Sequence, residues 1–190
     1  MGYAAYALGY LGAKGISGAI KSHRRHCAQT YGAMPTAGGE SCGTDIGVTF
    51  NPIRAEGGDW SKNSMTAGFG VIGRHRWGFA GLFSYTRDLS MPLGYNNLRQ
   101  NQNLITATVG PRYAYRQRSY TIFGDVLLGY AHDSDYHPNK FAIQAGGGVN
   151  YNLSRRIAVR LPQVYWLRTW DPGDVHQYIQ AGAGIVFRLQ

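Results

Sequence analysis

From Asp45 onward the sequence alternates with a period of two, and its two faces differ in character. Ile46, Val48 and Phe50 alternate with Gly47, Thr49 and Asn51, and Met65, Ala67, Phe69 and Val71 alternate with Thr66, Gly68 and Gly70. Phe141, Ile143, Ala145, Val149, Tyr151 and Leu153 alternate with Ala142, Gln144, Gly146, Gly148, Asn150 and Asn152, and Ile179, Ala181, Ala183, Ile185, Phe187 and Leu189 alternate with Gln180, Gly182, Gly184 and Arg188. A period of two is that of extended backbone, so each segment is a strand with one apolar face and one polar or glycine face.

Runs between turn signals give eight strands, at about 45–53, 64–74, 77–87, 103–116, 119–131, 140–152, 157–169 and 175–189. The connections then alternate long and short: 54–63, 75–76, 88–102, 117–118, 132–139, 153–156 and 170–174. An even strand number with alternating loop lengths is the pattern of outer-membrane barrels, whose short turns and termini are periplasmic and whose long loops face outward. The charges follow the same division. Glu56, Asp59, Asp88, Asp133, Asp135, Asp171 and Asp174 fall in or at the long connections, whereas Arg74-His75-Arg76, Arg116-Gln117-Arg118 and Arg155-Arg156 mark the short ones. Trp77, Tyr85, Tyr113, Tyr115, Tyr120, Tyr130, Tyr151 and Trp166 lie near strand ends, where aromatic girdles belong.

Alternation alone does not tell a membrane barrel from a soluble lipocalin-like one turned the other way. The polar face decides. It is rich in Gly, Asn, Gln and Thr, and charged residues make up only 15% of the chain, too few for the solvent face of a soluble barrel. The same composition argues against a charged helical bundle and against a disordered tail. No run approaches the roughly 20 apolar residues of a membrane-spanning helix. The expected architecture is all-β: an eight-stranded antiparallel up-and-down transmembrane β-barrel over 44–190, with an N-terminal extension over 1–43.

The extension differs in composition. Met1–Ile20 is small and apolar, Lys21-Ser22-His23-Arg24-Arg25-His26 is basic, and a Gly/Pro/Ser-rich stretch follows. It matches an export signal only in part, since the first basic residue is Lys14; a degenerate signal with a linker, an ordered plug, and disorder are all open readings. Cys27 and Cys42 would be joined in an exported protein and remain thiols in a cytosolic one. With His23 and His26 they could form a metal cluster, but a solvated basic stretch is the favoured reading.

Five further stretches resemble the OmpA-like outer-membrane β-barrel family: Val109–Arg116, Phe123–His132, Phe141–Asn152, Arg156–Leu167 and Ala183–Leu189, together covering roughly 104–190. The resemblance implies a barrel of the bacterial outer membrane whose last strand, with Phe187 and Leu189 on one face, is read by the barrel assembly machinery. The chain ends Leu189-Gln190 where the family usually ends in Phe. Outer-membrane lipid and lipopolysaccharide are the other implied partners.

Candidate chemistry is sparse. Arg112, Asp125 and Arg160 fall on the lumen faces of strands four, five and seven, where Asp125 should pair with at least one arginine as a structural charge network. Arg160 and Gln163 are three apart, so a bulge near Leu161-Pro162 is needed for both to face inward. Gly68–Gly73 spells the dinucleotide fingerprint but lies inside a strand, so its glycines are read as lumen-facing. His132-Asp133-Ser134-Asp135-Tyr136-His137 could hold a divalent ion, yet a hydrated loop is favoured. A lipid A-modifying enzyme would need Ser84, His132 and Asp125 to converge. The excess behind the net charge of +9 lies in scattered turns and in Lys14–Arg25 rather than along one aromatic-studded sheet face, against nucleic acid as partner. The favoured reading is a monomeric envelope-stabilising or surface-interaction barrel without catalysis, cofactor or metal.

Overall fold

The computed structural model describes residues 43–56, 58–61, 63–73, 76–92, 99–133, 140–171 and 174–189. The expectations for the extension, including Cys27 and Cys42, lie outside these residues, apart from Gly43, which opens the first strand.

The strands are β1 (Gly43–Phe50), β2 (Ile53–Ala55), β3 (Trp60–Ser61), β4 (Asn63–Ile72), β5 (Trp77–Pro92), β6 (Arg99–Arg116), β7 (Tyr120–Asp133), β8 (Lys140–Asn152), β9 (Ile157–Asp171) and β10 (Asp174–Leu189). Neighbours in sequence pair antiparallel from β4 to β10, and β1 pairs with both β4 and β10, closing an eight-stranded barrel. The short pieces complete two of the eight staves. β2 continues β1 on the same partner, with Phe50 opposite Ala183 and Ile53 opposite Gln180. Pro52 interrupts it, having no amide hydrogen, but its carbonyl still accepts from Ala181 N at 3.0 Å. Likewise β3 prolongs β4, the register moving by one residue between Phe50–Met65 and Ile53–Ser61.

The faces point as a membrane requires. Phe141, Ile185 and Phe187 are 51%, 50% and 48% exposed, and Val48, Met65, Phe79, Phe83, Val109, Val126, Leu128 and Val164 are exposed with them. The lumen side buries Thr49, Thr66, Ser84, Thr106, Thr108, Gln144, Gln163 and Gln180. An outer wall of Phe, Val, Ile and Leu around a polar interior is stable only in lipid, which removes the lipocalin-like alternative. Along β5 the outward side chains from Trp77 to Tyr85 span about 26 Å of strand, or about 20 Å of membrane after a barrel's usual tilt. Trp77 meets Tyr113 edge-on at 5.2 Å at one border, and Phe141 meets Trp170 at 5.8 Å at the other.

The strands run further than the alternation suggests, so the expected long connections are short. β5 reaches Pro92 and β6 begins at Arg99, leaving 93–98 between them, and only 172–173 separate β9 from β10. Asp88, Asp133, Asp171 and Asp174 accordingly lie in strands. Beyond the lipid a strand needs no apolar outer face, so its period fades from the sequence while its ladder continues. The β5–β6 pairing runs on through Leu89–Gln102, Ser90–Asn101, Met91–Gln100 and Pro92–Arg99. On the flanks, β4 stops pairing at Asn63–Arg87 and β7 at Leu104–Asp133, so among the described residues the end of this hairpin rises past its neighbours.

Candidate functional site in the lumen

Arg112 on β6 lies directly across from Asp125 on β7. Its Nε donates to Asp125 Oδ1 at 2.6 Å and its Nη2 to Oδ2 at 2.7 Å, a bidentate pair of residues only 2% and 3% exposed. The Tyr165 hydroxyl, reaching in from β9, donates to the same Oδ2. The space comes from β4: a Cβ on Gly70 would stand 2.1 Å from Arg112 Nη1. Gly70, one of the glycines of the fingerprint-like run, is thus the recess that admits the guanidinium.

Arg160 does not join the carboxylate. Its Nε donates to Asn150 Oδ1 at 2.8 Å and its Nη1 to Gln163 Oε1 at 3.2 Å. The two arginines share a ring instead, their Cζ atoms standing 4.5 and 4.6 Å from the Phe123 centroid. The β9 register shifts by one residue opposite both neighbours, between Gly182 and Gly184 and between Gly148 and Asn150. That bulge at Leu161-Pro162 turns Arg160 and Gln163 inward together and leaves Leu161 on the wall.

Above and below this layer further buried side chains line the lumen. Toward the far end Thr108 Oγ1 donates to Gln144 Oε1 at 2.9 Å and Gln144 Nε2 to Gln180 Oε1 at 3.0 Å. Ser84 and Thr66 share a hydrogen bond at 2.8 Å, as do Ser64 and Thr86. At the far mouth Ile53, Leu89, Leu104, Leu167 and Tyr178 close into an apolar cluster with three alanines. At the entry end, where β1 begins and β10 finishes, Asp45 lies 3.0 Å from Arg116 Nη2 and 3.8 Å from Arg188 Nε. Arg188 Nη2 also donates to Asn152 Oδ1 at 2.6 Å and Thr121 Oγ1 at 3.0 Å, so the entry mouth is floored by side chains from five strands.

No protein-family model and no curated protein matches the chain. Among solved structures it is similar to Neisserial surface protein A, with TM-score 0.58, 11% identity, and 78% of this chain and 97% of that one aligned. The fold is that of a small outer-membrane β-barrel. Ail, the attachment invasion locus protein of Yersinia pestis, aligns over 78% and 97% of the two chains at 18% identity and TM-score 0.47. The N-terminal β-barrel domain of Pseudomonas aeruginosa OprF aligns over 78% and 100% at 12% identity and TM-score 0.43.

Within this outer-membrane barrel the Ser84, His132 and Asp125 combination does not assemble. Ser84 is buried in the lumen beside Thr66, while His132 is exposed on the outer face of β7. Ser84 sits at the level of Thr106 and Ala131, and from Ala131 down to Asp125 is about 20 Å of strand. The candidate metal loop is also divided: Asp133 turns inward to Lys140 Nζ at 3.6 Å, away from His132, and Ser134, Asp135, Tyr136 and His137 lie outside the described residues.

Sequence reasoning passed over Tyr165, Phe123 and the Asp45–Arg116–Arg188 floor. Parity would have placed Asp45 and Arg188 inward, since their neighbours Ile46 and Phe187 face out. Arg116 was hidden because it reads equally well as a turn marker, and a tyrosine in a barrel strand reads first as part of a girdle.

Proposed function

We propose that this is a non-catalytic, monomeric barrel of the bacterial outer membrane that stabilises the envelope and meets a surface partner through the β5–β6 hairpin. The observation that carries the reading is the contrast between its two parts. The Arg112–Asp125–Tyr165 and Arg160–Asn150–Gln163 sets brace the lumen from within, whereas the end of the hairpin, past Arg87 and Leu104, pairs with no other described strand. Closure pairs each of the eight staves with a neighbour on both sides, which favours a monomer.

The termini and the three short turns face the periplasm in this reading, and the hairpin faces outward. Arg54, Arg87 and Arg168 then lie on the wall at the outward end, placed for lipopolysaccharide phosphates. β10, carrying Ile185 and Phe187 outward, is the element the assembly machinery would read.

In cells the protein is expected in the outer-membrane fraction, migrating differently on electrophoresis before and after boiling. Recovery in the soluble fraction without such a shift would sink the proposal. Reconstituted into planar lipid bilayers it is expected to give no unitary current steps, since an eight-stranded interior is just wide enough for side chains to fill and this one carries an apolar cluster at the far mouth and two stacked guanidinium groups at its middle. Steady channels from purified monomer would show that these side chains line a pore.

A further inference from the structure

We propose that the arginines of the three short turns form a collar that binds the phosphodiester headgroups of anionic phospholipids in the inner leaflet of the outer membrane. The inference rests on the orientation proposed above. It uses a part of the molecule that neither the lumen nor the hairpin involves.

The turns at the entry end hold Arg76, Arg118, Arg155 and Arg156 at the surface. No acidic residue occurs in 73–79, 112–122 or 150–160, and among the described residues the acid at the barrel's entry end, Asp45, is buried in the lumen between Arg116 and Arg188. The excess positive charge is therefore displayed outward.

Its height is fixed by aromatic neighbours. Arg76 Nη1 donates to the Tyr113 hydroxyl at 3.4 Å, and Arg76 Cζ lies 4.7 Å from the Tyr115 ring centroid. Tyr113 packs against Trp77, so the guanidinium lies along the aromatic girdle on the lipid side of the wall, at the level where headgroups begin. Arg76 also has φ 66°, left-handed backbone that ordinarily belongs to Gly or Asn. Its carbonyl accepts from Ala114 N at 2.8 Å, holding the turn against β6 in that conformation. An arginine where glycine would fold more easily, and stacked across the wall, fits a side chain retained for what it contacts.

The other two turns are equally fixed. Gln117 N donates to Tyr120 O at 2.7 Å, and Asn152 Nδ2 donates to the carbonyls of Gln117 and Arg118 at 3.2 and 2.9 Å, tying adjacent turns together. Ser154 Oγ accepts from the amides of Arg156 and Ile157 at 3.2 and 3.0 Å. The hydrogen-bonded turns carry these four exposed arginines along the entry rim, from the β4–β5 turn through the β6–β7 turn to the β8–β9 turn, and planar guanidinium forks suit the phosphodiester oxygens.

The test measures the selectivity of the full-length protein for spin-labelled phosphatidylglycerol over spin-labelled phosphatidylcholine in vesicles of phosphatidylcholine. About threefold preference or more is expected at low salt, falling toward none at high salt and persisting in the presence of inorganic phosphate. The combined R76Q, R118Q, R155Q and R156Q variant should lose it while keeping its heat-dependent migration, and the corresponding lysine variant should keep most of it. Equal affinity of the wild type for both lipids, or a preference unchanged in the glutamine variant, overturns the collar. Abolition by inorganic phosphate overturns it too, pointing to a site for the free ion. Should the glutamine variant fail to fold, the paired variants R76Q with R118Q and R155Q with R156Q decide: each is expected to lose part of the preference, and a full preference in both overturns the collar. Orientation is read separately, from a protease site inserted after Arg118: cleavage is expected only once the outer membrane is permeabilised. Cleavage in intact cells would overturn the inner-leaflet assignment, and with it the orientation, without touching the vesicle result.

Discussion

Asp125→Ala is expected to destabilise the folded barrel by about 3–5 kcal/mol, the usual loss when one partner of a buried ion pair is removed. The carboxylate meets both arms of Arg112 and the Tyr165 hydroxyl, so its loss strands a guanidinium that is only 2% exposed. The Phe123 ring compensates in part, since it remains against the cation. Urea titration of the protein in phospholipid vesicles, followed by the migration shift, reads the difference. The double variant Arg112→Met with Asp125→Leu should recover most of it, because no charge is then left without a partner. A loss below about 1 kcal/mol for the single variant would mean that water replaces the carboxylate and that the brace is not structural.

Val126→Arg, one residue along, tests the opposite face. Val126 is exposed midway along β7, between Ile122 and Tyr130 on the same side, and an arginine there meets the centre of the lipid. About 2–4 kcal/mol of destabilisation is expected in vesicles, against roughly 0–1 for Tyr151→Arg near the border. The same urea titration distinguishes them. Equal effects at the two positions would mean that the apolar band is not centred where the aromatic pairs place it.

These two neighbours also show what could be read in advance. Period two with apolar Ile143 and Phe187 on one side and Gln144 and Arg188 on the other gives strands, closure and the inside-out orientation, because lipid imposes a uniform demand on every outward residue. Arg112, Asp125 and Arg160 could be placed in the lumen by the same parity. Which of them meet could not be read so easily, since it depends on register between strands and on space: Asp125 takes Arg112 because they are directly opposed and Gly70 leaves room, while Asn150 and Gln163 take Arg160. The hairpin beyond Arg87 was illegible for the converse reason: outside the lipid nothing demands an apolar residue at every second outward position, and the run Ser90, Met91, Asn101, Gln102 shows no alternation. Gly and small polar residues dominate the inner face, and within that background a single inward aromatic such as Tyr165 carries no distinguishing signal.

The extra residue in β9 bears on how this chain can vary over generations. In a barrel strand, losing one residue normally sends every later side chain to the wrong side of the wall. Removing Pro162 would instead bring Arg160 and Gln163 two apart with Leu161 between them, restoring plain alternation and leaving Val164, Trp166 and the residues beyond on the faces they already occupy. At this site the lineage can lose a position while keeping both the internal brace and the lipid-facing surface in phase.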